Sequence, residues 1–216
     1  MPTAELRTMG RPHVVAHLAV SLDGATTGFE PDIGLFYELA GAWQEDVTLA
    51  GADTILAQEE LLGSIAGPGP APDGPLLAVV DGRGRVRRWS ELRDAGHWSD
   101  VLALHCPSTS PRPAGREVRE LVTGAERVDL REVLRSLGED EGAHVVRVDS
   151  GGALTGALIE AGLLDELSLL VHPVLAGPQG GHVWHGGARP SGAALELVAN
   201  ESLRDGIVRL RYHLNG

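Results

Sequence analysis

Between Val14 and Val171 the chain repeats one pattern: a short apolar run, then a polar turn, then a stretch with helical spacing. Val14–Val20, Leu76–Val80, Val101–His105, His144–Val148 and Leu167–Val171 are such runs. Each has the length of a strand, and near-continuous apolar character marks a strand covered on both faces. Thr54-Ile55-Leu56-Ala57 reads as another short strand. The intervening stretches read as helices: Leu35 to Leu49, with Leu35, Leu39, Trp43 and Val47 on one face, then Glu59 to Ile65, Arg116 to Val122, Leu130 to Leu137 and Leu154 to Gly162. Strands alternating with helices predict a three-layer α/β domain with a mixed, mostly parallel sheet and helices on both faces. Leu195–Val198 and Ile207–Leu214 alternate as an antiparallel pair and would close one edge. The Gly/Pro-rich stretch Gly67–Pro75 separates two strands rather than two domains, because the same rhythm continues on both sides. The 216 residues are expected to form one domain.

Composition removes several chemistries. The chain has 18 basic side chains, all arginine, against 30 acidic ones, a formal net charge of −12. Without lysine there is no P-loop lysine for a nucleoside triphosphate and no Schiff base for pyridoxal phosphate or an aldolase. An acidic chain is a poor partner for DNA or RNA. The apolar runs are far shorter than the ~20 residues that cross a bilayer, and Met1 to Arg11 lacks the apolar core of a signal peptide. Cys106 is the only cysteine, which excludes an intrachain disulfide and fits a cytoplasmic protein.

The segment most suggestive of a site is Val145 to Leu158. A buried strand there delivers Gly151 and Gly152 to the start of a helix. Glycines let backbone N–H groups approach a ligand, and a helix N-terminus favours an anion such as a pyrophosphate. The same glycines also suit a tight strand–helix turn with no ligand. Asp149-Ser150-Gly151-Gly152 has the look of a protease nucleophile segment, but the α/β rhythm and the absence of G-x-S-x-G argue against hydrolysis. Asp23, in Ser21-Leu22-Asp23-Gly24, and Asp149 both follow buried strands, where sites gather in parallel sheets. Asp23 is equally a turn residue before glycine. His182-x-x-His185, with His172 nearby, lacks a third ligand at metal spacing, so no metal is expected. Cys106 reads as a buried, inert thiol. Arg83, Arg85, Arg87 and Arg88 form a basic cluster after a strand, either solvated or facing a cofactor phosphate.

Three stretches together resemble the reductase domain of bacterial riboflavin biosynthesis, in the dihydrofolate-reductase-like superfamily. Arg11-Pro12-His13-Val14 through Ser21-Leu22-Asp23-Gly24 is similar to its opening strand and turn. Gly51-Ala52-Asp53-Thr54-Ile55-Leu56 is similar to the strand after its first helix. Val148–Gly156, Leu163-Leu164-Asp165-Glu166-Leu167 and Pro173-Val174-Leu175-Ala176-Gly177 resemble its Gly-Gly segment, helix, following strand and loop. The resemblance implies an NADPH-dependent reductase of an aminouracil ribosyl phosphate, a homodimer, with a pyrimidine, pterin or ribosyl-like substrate. By position it places Ala19, Gly82, Gly151, Gly152, Ala153, Leu154, Thr155, Gly156 and Ala157 against NADPH. Asp149 stands where the family has a substrate-facing glutamate. Asp23 matches the family aspartate, and His17 stands at a family lysine, so these three are expected on the substrate side.

Two alternatives accompany this reading. One is a dihydrofolate-reductase-like enzyme acting on another heterocycle. The other is a non-catalytic binding protein that has lost NADPH, because Gln58-Glu59-Glu60 brings carboxylates where the family packs against the cofactor and like charges repel.

Overall fold

The computed structural model describes residues 11–62, 67–110, 118–177, 181–188 and 195–214. Nine strands form one sheet in the order β5-β4-β3-β2-β6-β1-β7-β9-β8. They are β1 (His13–Ser21), β2 (Val47–Gly51), β3 (Leu76–Val80), β4 (Asp100–His105), β5 (Arg119–Val122), β6 (Val145–Val148), β7 (Glu166–His172), β8 (Leu195–Ser202) and β9 (Val208–Leu214). β1 to β7 run parallel, and β9 and β8 add the antiparallel edge. The helices are α1 (Ile33–Ala40), α2 (Ala52–Leu62), α3 (Trp89–Arg93), α4 (Leu130–Glu139) and α5 (Ala153–Glu160).

Side-chain alternation assigns the helices to the two faces. Val14, Ala16, Leu18, Leu49, Val146, Val148, Leu167 and Leu169 pack with Val133, Leu134 and Leu137 of α4 and Leu154 and Leu158 of α5. On the other face, Ala50, Leu77, Val79 and Ala103 pack with Ile55 of α2 and Trp89 and Leu92 of α3. Leu35 and Phe36 of α1 pack on Leu170, with Ala19 beside them. Strand β6 lies between these last two clusters and contributes to neither. Its residues on that face, Arg147 and then Asp149, therefore line a gap between α1 and α2.

The sequence reading changes in three places. The helical spacing from Leu35 runs on only to Ala40 and a 3-10 turn at Gly41–Trp43. Gln44 then adopts φ 47°, in the left-handed region, and the chain turns into β2. Consequently Ala52–Leu62, including Thr54-Ile55-Leu56-Ala57, is a helix rather than a strand. The described part of Arg116–Val122 is the edge strand β5, not a helix; residues 116 and 117 lie outside the described residues, as does Ile65.

Candidate active site

The chain leaves β1 for β2 across one face, and β6 for β7 across the other. The direction of winding thus reverses around β6, and the crevice lies at the carboxyl ends of β2, β6 and β1. Two helices begin there side by side. Ser150, after β6, accepts a hydrogen bond at Oγ from the Gly51 N–H at 2.8 Å, and its Oγ is 2.6 Å from Thr54 Oγ1 of α2. These contacts tie the β2–α2 and β6–α5 turns together.

Gly152 caps α5 with φ 65°, a conformation that disfavours any side chain, and no side chain caps the helix. The first-turn amides of Ala153, Leu154 and Thr155 thus lack an acceptor inside the helix. The glycine pair is less open than the sequence suggests. The Gly152 N–H donates to the Trp184 carbonyl at 2.9 Å, and a Cβ on Gly151 would come within 2.7 Å of Thr26 Cγ2. Residues Gly24–Thr26 and His182–Trp184 pair over this turn: the Thr26 N–H donates to the His182 carbonyl, the Trp184 N–H to the Gly24 carbonyl. His182 and His185 thus belong to a covering turn.

Other positions expected against a cofactor divide. Leu154 is turned into the core. Thr155 Oγ1 donates to the Ser150 carbonyl, stiffening the turn. Gly156 makes room for the covering turn, since a Cβ there would meet the His185 carbonyl at 2.5 Å. Ala157 is half-buried within α5, and Ala19 packs beside α1. Gly82 follows β3 at the same end of the sheet, one residue after the buried Asp81, whose carboxylate accepts from the Arg85 and Val86 amides. Arg83 is exposed on that turn. Arg85 pairs with Asp53 at 2.6 Å, offsetting the one carboxylate in the first turn of α2. Because 52–62 is helical, Gln58 sits about 9 Å along the axis from the start of α2, and it is exposed. The side chains of residues 59–62 are outside the described set.

The three substrate-side candidates are not brought together. Asp149 does face the crevice. Its N–H donates to the Leu49 carbonyl, continuing the β6–β2 ladder, and a quarter of its side chain is exposed. Burial pushes its carboxyl above the usual carboxylate range, while the charge of Arg147, Nη1 to Oδ2 3.4 Å, pulls it back. Tyr37 of α1 feels the same charge: burial and then Asp149 raise its phenol. Asp23 instead clamps a loop. It accepts from Ser21 Oγ at 2.6 Å and from the amides of Ala176 and Gly177 at 3.0 Å each. Those bonds hold its pKa down to about 2, the Ser21 contact contributing most. The geometry makes Asp23 the fastener between the end of β1 and the loop after β7.

His17 does not reach the crevice. It is fully buried on β1, stacked on Phe36 at 4.4 Å between ring centroids. Nε2 is 3.1 Å from the Phe36 carbonyl and Nδ1 3.0 Å from Ser168 Oγ. A carbonyl only accepts, so Nε2 carries the proton, Nδ1 accepts from Ser168, and the ring is neutral. Burial, the largest cause, lowers its pKa to about 4.

Two buried polar residues that the sequence reading passed over lie on the same face of the sheet as Asp149. Arg147 and Thr48 are register partners on β6 and β2, hence on one face, and are 4% and 2% exposed. An arginine inside the apolar run His144–Val148 was a visible signal, because a fully buried arginine is rare unless paired. Thr48 gave none, since β2 had been absorbed into a helix.

With this geometry in hand, comparison with known proteins identifies the lineage. Residues 12–209 match the RibD C-terminal domain, and the chain belongs to that family. It is 27% identical over 177 residues to the 2,5-diamino-6-ribosylamino-4(3H)-pyrimidinone 5′-phosphate reductase of Methanothermobacter thermautotrophicus, covering 77% of this chain and 80% of that protein. It is 26% identical over 179 residues to the riboflavin biosynthesis protein RibD of Actinobacillus pleuropneumoniae, covering 77% of this chain but only 46% of that protein. Among solved structures, a riboflavin biosynthesis reductase of Saccharomyces cerevisiae superposes with TM-score 0.73 at 18% identity, over 98% of this chain and 93% of the other. Dihydrofolate reductase from Enterococcus faecalis superposes with TM-score 0.57 at 15% identity, over 98% and 100%. The fold is therefore dihydrofolate-reductase-like, and the lineage is one of oxidoreductases.

Proposed function

We propose that the chain is an NADPH-dependent reductase that converts the ribosyl group of an aminopyrimidine ribosyl phosphate to a ribityl chain. The observation that carries this reading is the junction of two features at one crevice: the uncapped first turn of α5, and Asp149 immediately before it. The amides of Ala153 to Thr155 suit the pyrophosphate of a dinucleotide, because unpaired N–H groups at a helix N-terminus attract anions. The nicotinamide, when bound, supplies the hydride. Asp149 holds the substrate, and Asp23 positions the loop at the end of β1. The relative from Methanothermobacter thermautotrophicus is named for this substrate class, which supports the choice.

Mixing the protein with NADPH and 2,5-diamino-6-ribosylamino-4(3H)-pyrimidinone 5′-phosphate is expected to give a product two hydrogens heavier, one NADPH being consumed per product. Absence of NADPH consumption would contradict the reading.

Preference for NADPH over NADH is assigned to Arg83, exposed on the turn after β3. Arg83→Ala is expected to raise KM for NADPH about tenfold, the scale of one charge-assisted phosphate contact, and to leave KM for NADH unchanged. Equal effects on both nucleotides would remove that assignment. The protein is taken to be a cytoplasmic homodimer. Strand β8 is an edge strand with Leu195 and Leu197 exposed, and such an edge is open to pairing. Light scattering that gives a monomer mass would refute the dimer.

A further inference from the structure

One flank of α1 carries exposed apolar side chains at the edge of the crevice. Leu35, Phe36 and Ala40 are buried and Leu39 packs with them, which marks the core-facing stripe of the helix. At about 3.6 residues per turn, Glu38 falls on one side of that stripe, and Ile33 and Tyr37, one turn apart, fall together on the other. A neighbour identifies the Glu38 side: Glu38 Oε2 lies 4.0 Å from Nη1 of Arg204, in the turn joining β8 to β9. Strands β9 and β6 lie on opposite sides of the β1–β7 pair that α1 covers. Ile33 and Tyr37 therefore stand on the β6 side, over the gap that Asp149 lines, and are 54% and 51% exposed. Burial and then the Asp149 charge raise the Tyr37 phenol, which agrees with that placement.

The Tyr37 ring is held in place from behind. Phe36, itself stacked on His17, meets it edge to face, with centroids 5.1 Å apart and an interplanar angle of 87°. A flat ring laid on such a preset aromatic face costs little further ordering. Charge decides which part of the substrate belongs there. The neighbouring guanidinium of Arg147 has a side chain only 5% exposed and already faces Glu45 and Asp149. A phosphate beside Tyr37 would meet the partly exposed Asp149 carboxylate while Arg147 stays out of reach. An aromatic ring with amino and N–H donors around its rim fits instead. We infer that Tyr37, with Ile33, is the wall on which the substrate's aminopyrimidine ring stacks, its donors turned toward Asp149 and its ribosyl phosphate directed away from that carboxylate. This rests on the reductase reading above and names the part of the substrate that α1 positions.

The test uses 5,6-diaminouracil, a ring without the ribosyl phosphate, and measures its binding calorimetrically on the intact chain. Tyr37→Ala is expected to weaken it about tenfold, the scale on which a stacked base loses its aromatic partner. Tyr37→Phe keeps the ring face and is expected to bind within a factor of about two of the parent. Tyr37→Leu keeps α1 apolar without an aromatic face and is expected to weaken the probe about fivefold, which covers the case of an alanine variant that does not fold. Glu38→Ala, on the other flank, is expected to change nothing, and NADPH affinity is expected to hold in every variant. No binding to the parent, unchanged affinity in Tyr37→Ala or Tyr37→Leu, or Tyr37→Phe as weak as Tyr37→Ala would overturn the inference. So would a loss of NADPH affinity equal to that of the probe, which would give the wall to the cofactor. Turnover separates the two claims. If the ribosyl phosphate is reduced but neither Tyr37→Ala nor Tyr37→Leu changes its KM, the reductase reading stands and this assignment falls. If the probe responds as expected but NADPH is never consumed, the assignment stands and the reductase reading falls.

Discussion

Asp149→Asn is expected to lower kcat/KM for the ribosylaminopyrimidine by on the order of 100-fold, with NADPH affinity within a factor of two of the parent. The magnitude follows from what the exchange removes. A charged acceptor becomes a neutral amide of the same shape, and a hydrogen bond to a charged group contributes about 1.5–3 kcal/mol. Folding should survive, because Arg147 keeps its Nε–Glu45 contact and Asp149 is one-quarter exposed. Asp149 precedes α5 by four residues, so its loss leaves the first-turn amides in place. Steady-state kinetics with each substrate varied in turn checks both halves. An unchanged kcat/KM would remove Asp149 from the substrate site.

The second large effect concerns stability. Burial lowers the pKa of His17 in the folded protein to about 4, against 6.5 for an exposed histidine. Above pH 6.5 the ring is neutral in both states and its contribution is fully present. As pH falls from 6.5 towards 4, the unfolded chain takes up a proton that the folded chain refuses, so stability declines; below 4 the loss is complete. A shift of this size corresponds to about 3 kcal/mol. Denaturant titrations at pH 7 and pH 4 should show the parent losing roughly that much more than His17→Gln. The amide of glutamine can still donate to the Phe36 carbonyl but does not titrate. Parallel losses in the two proteins would show that some other group governs the acid limb.

The physics of burial decided what could be read in advance. Strands β1, β3, β4 and β7 are covered on both faces, so they are apolar runs that no helix spacing mimics, and β6 is apolar on its α4–α5 face. Strand β2 was hidden because Val47 falls on the helical register of Leu35, Leu39 and Trp43. Only the left-handed turn at Gln44, which leaves no mark in the hydrophobic pattern, ends that register. Displacing β2 pushed the next strand onto Thr54–Ala57, a four-residue apolar run that carries no period of its own. Strand β5 has an exposed pattern and therefore no apolar stripe to recognise.

The same distinction governs the site. Asp149 was legible because its position at a strand end is a topological fact. Asp23 occupies an equivalent place, yet its oxygens are taken by Ser21, Ala176 and Gly177, and contacts across 153 residues cannot be seen in the local sequence. His17 sits in mid-strand, and alternation alone does not say whether its face meets a ligand or α1. The packing of Phe36 settles that in favour of the core.

The start of α5 is the most direct place to test the account. Hydrogen–deuterium exchange of the Ala153 to Thr155 amides should be faster in the free protein than that of the rest of α5, since these first-turn amides have no acceptor within the helix. Saturating NADPH should slow exchange at those amides more than at any others, while an equal concentration of nicotinamide mononucleotide, which has only one phosphate, should do so much less. Protection by NADPH that leaves 153–155 untouched, or no protection anywhere, would contradict a dinucleotide held at this helix.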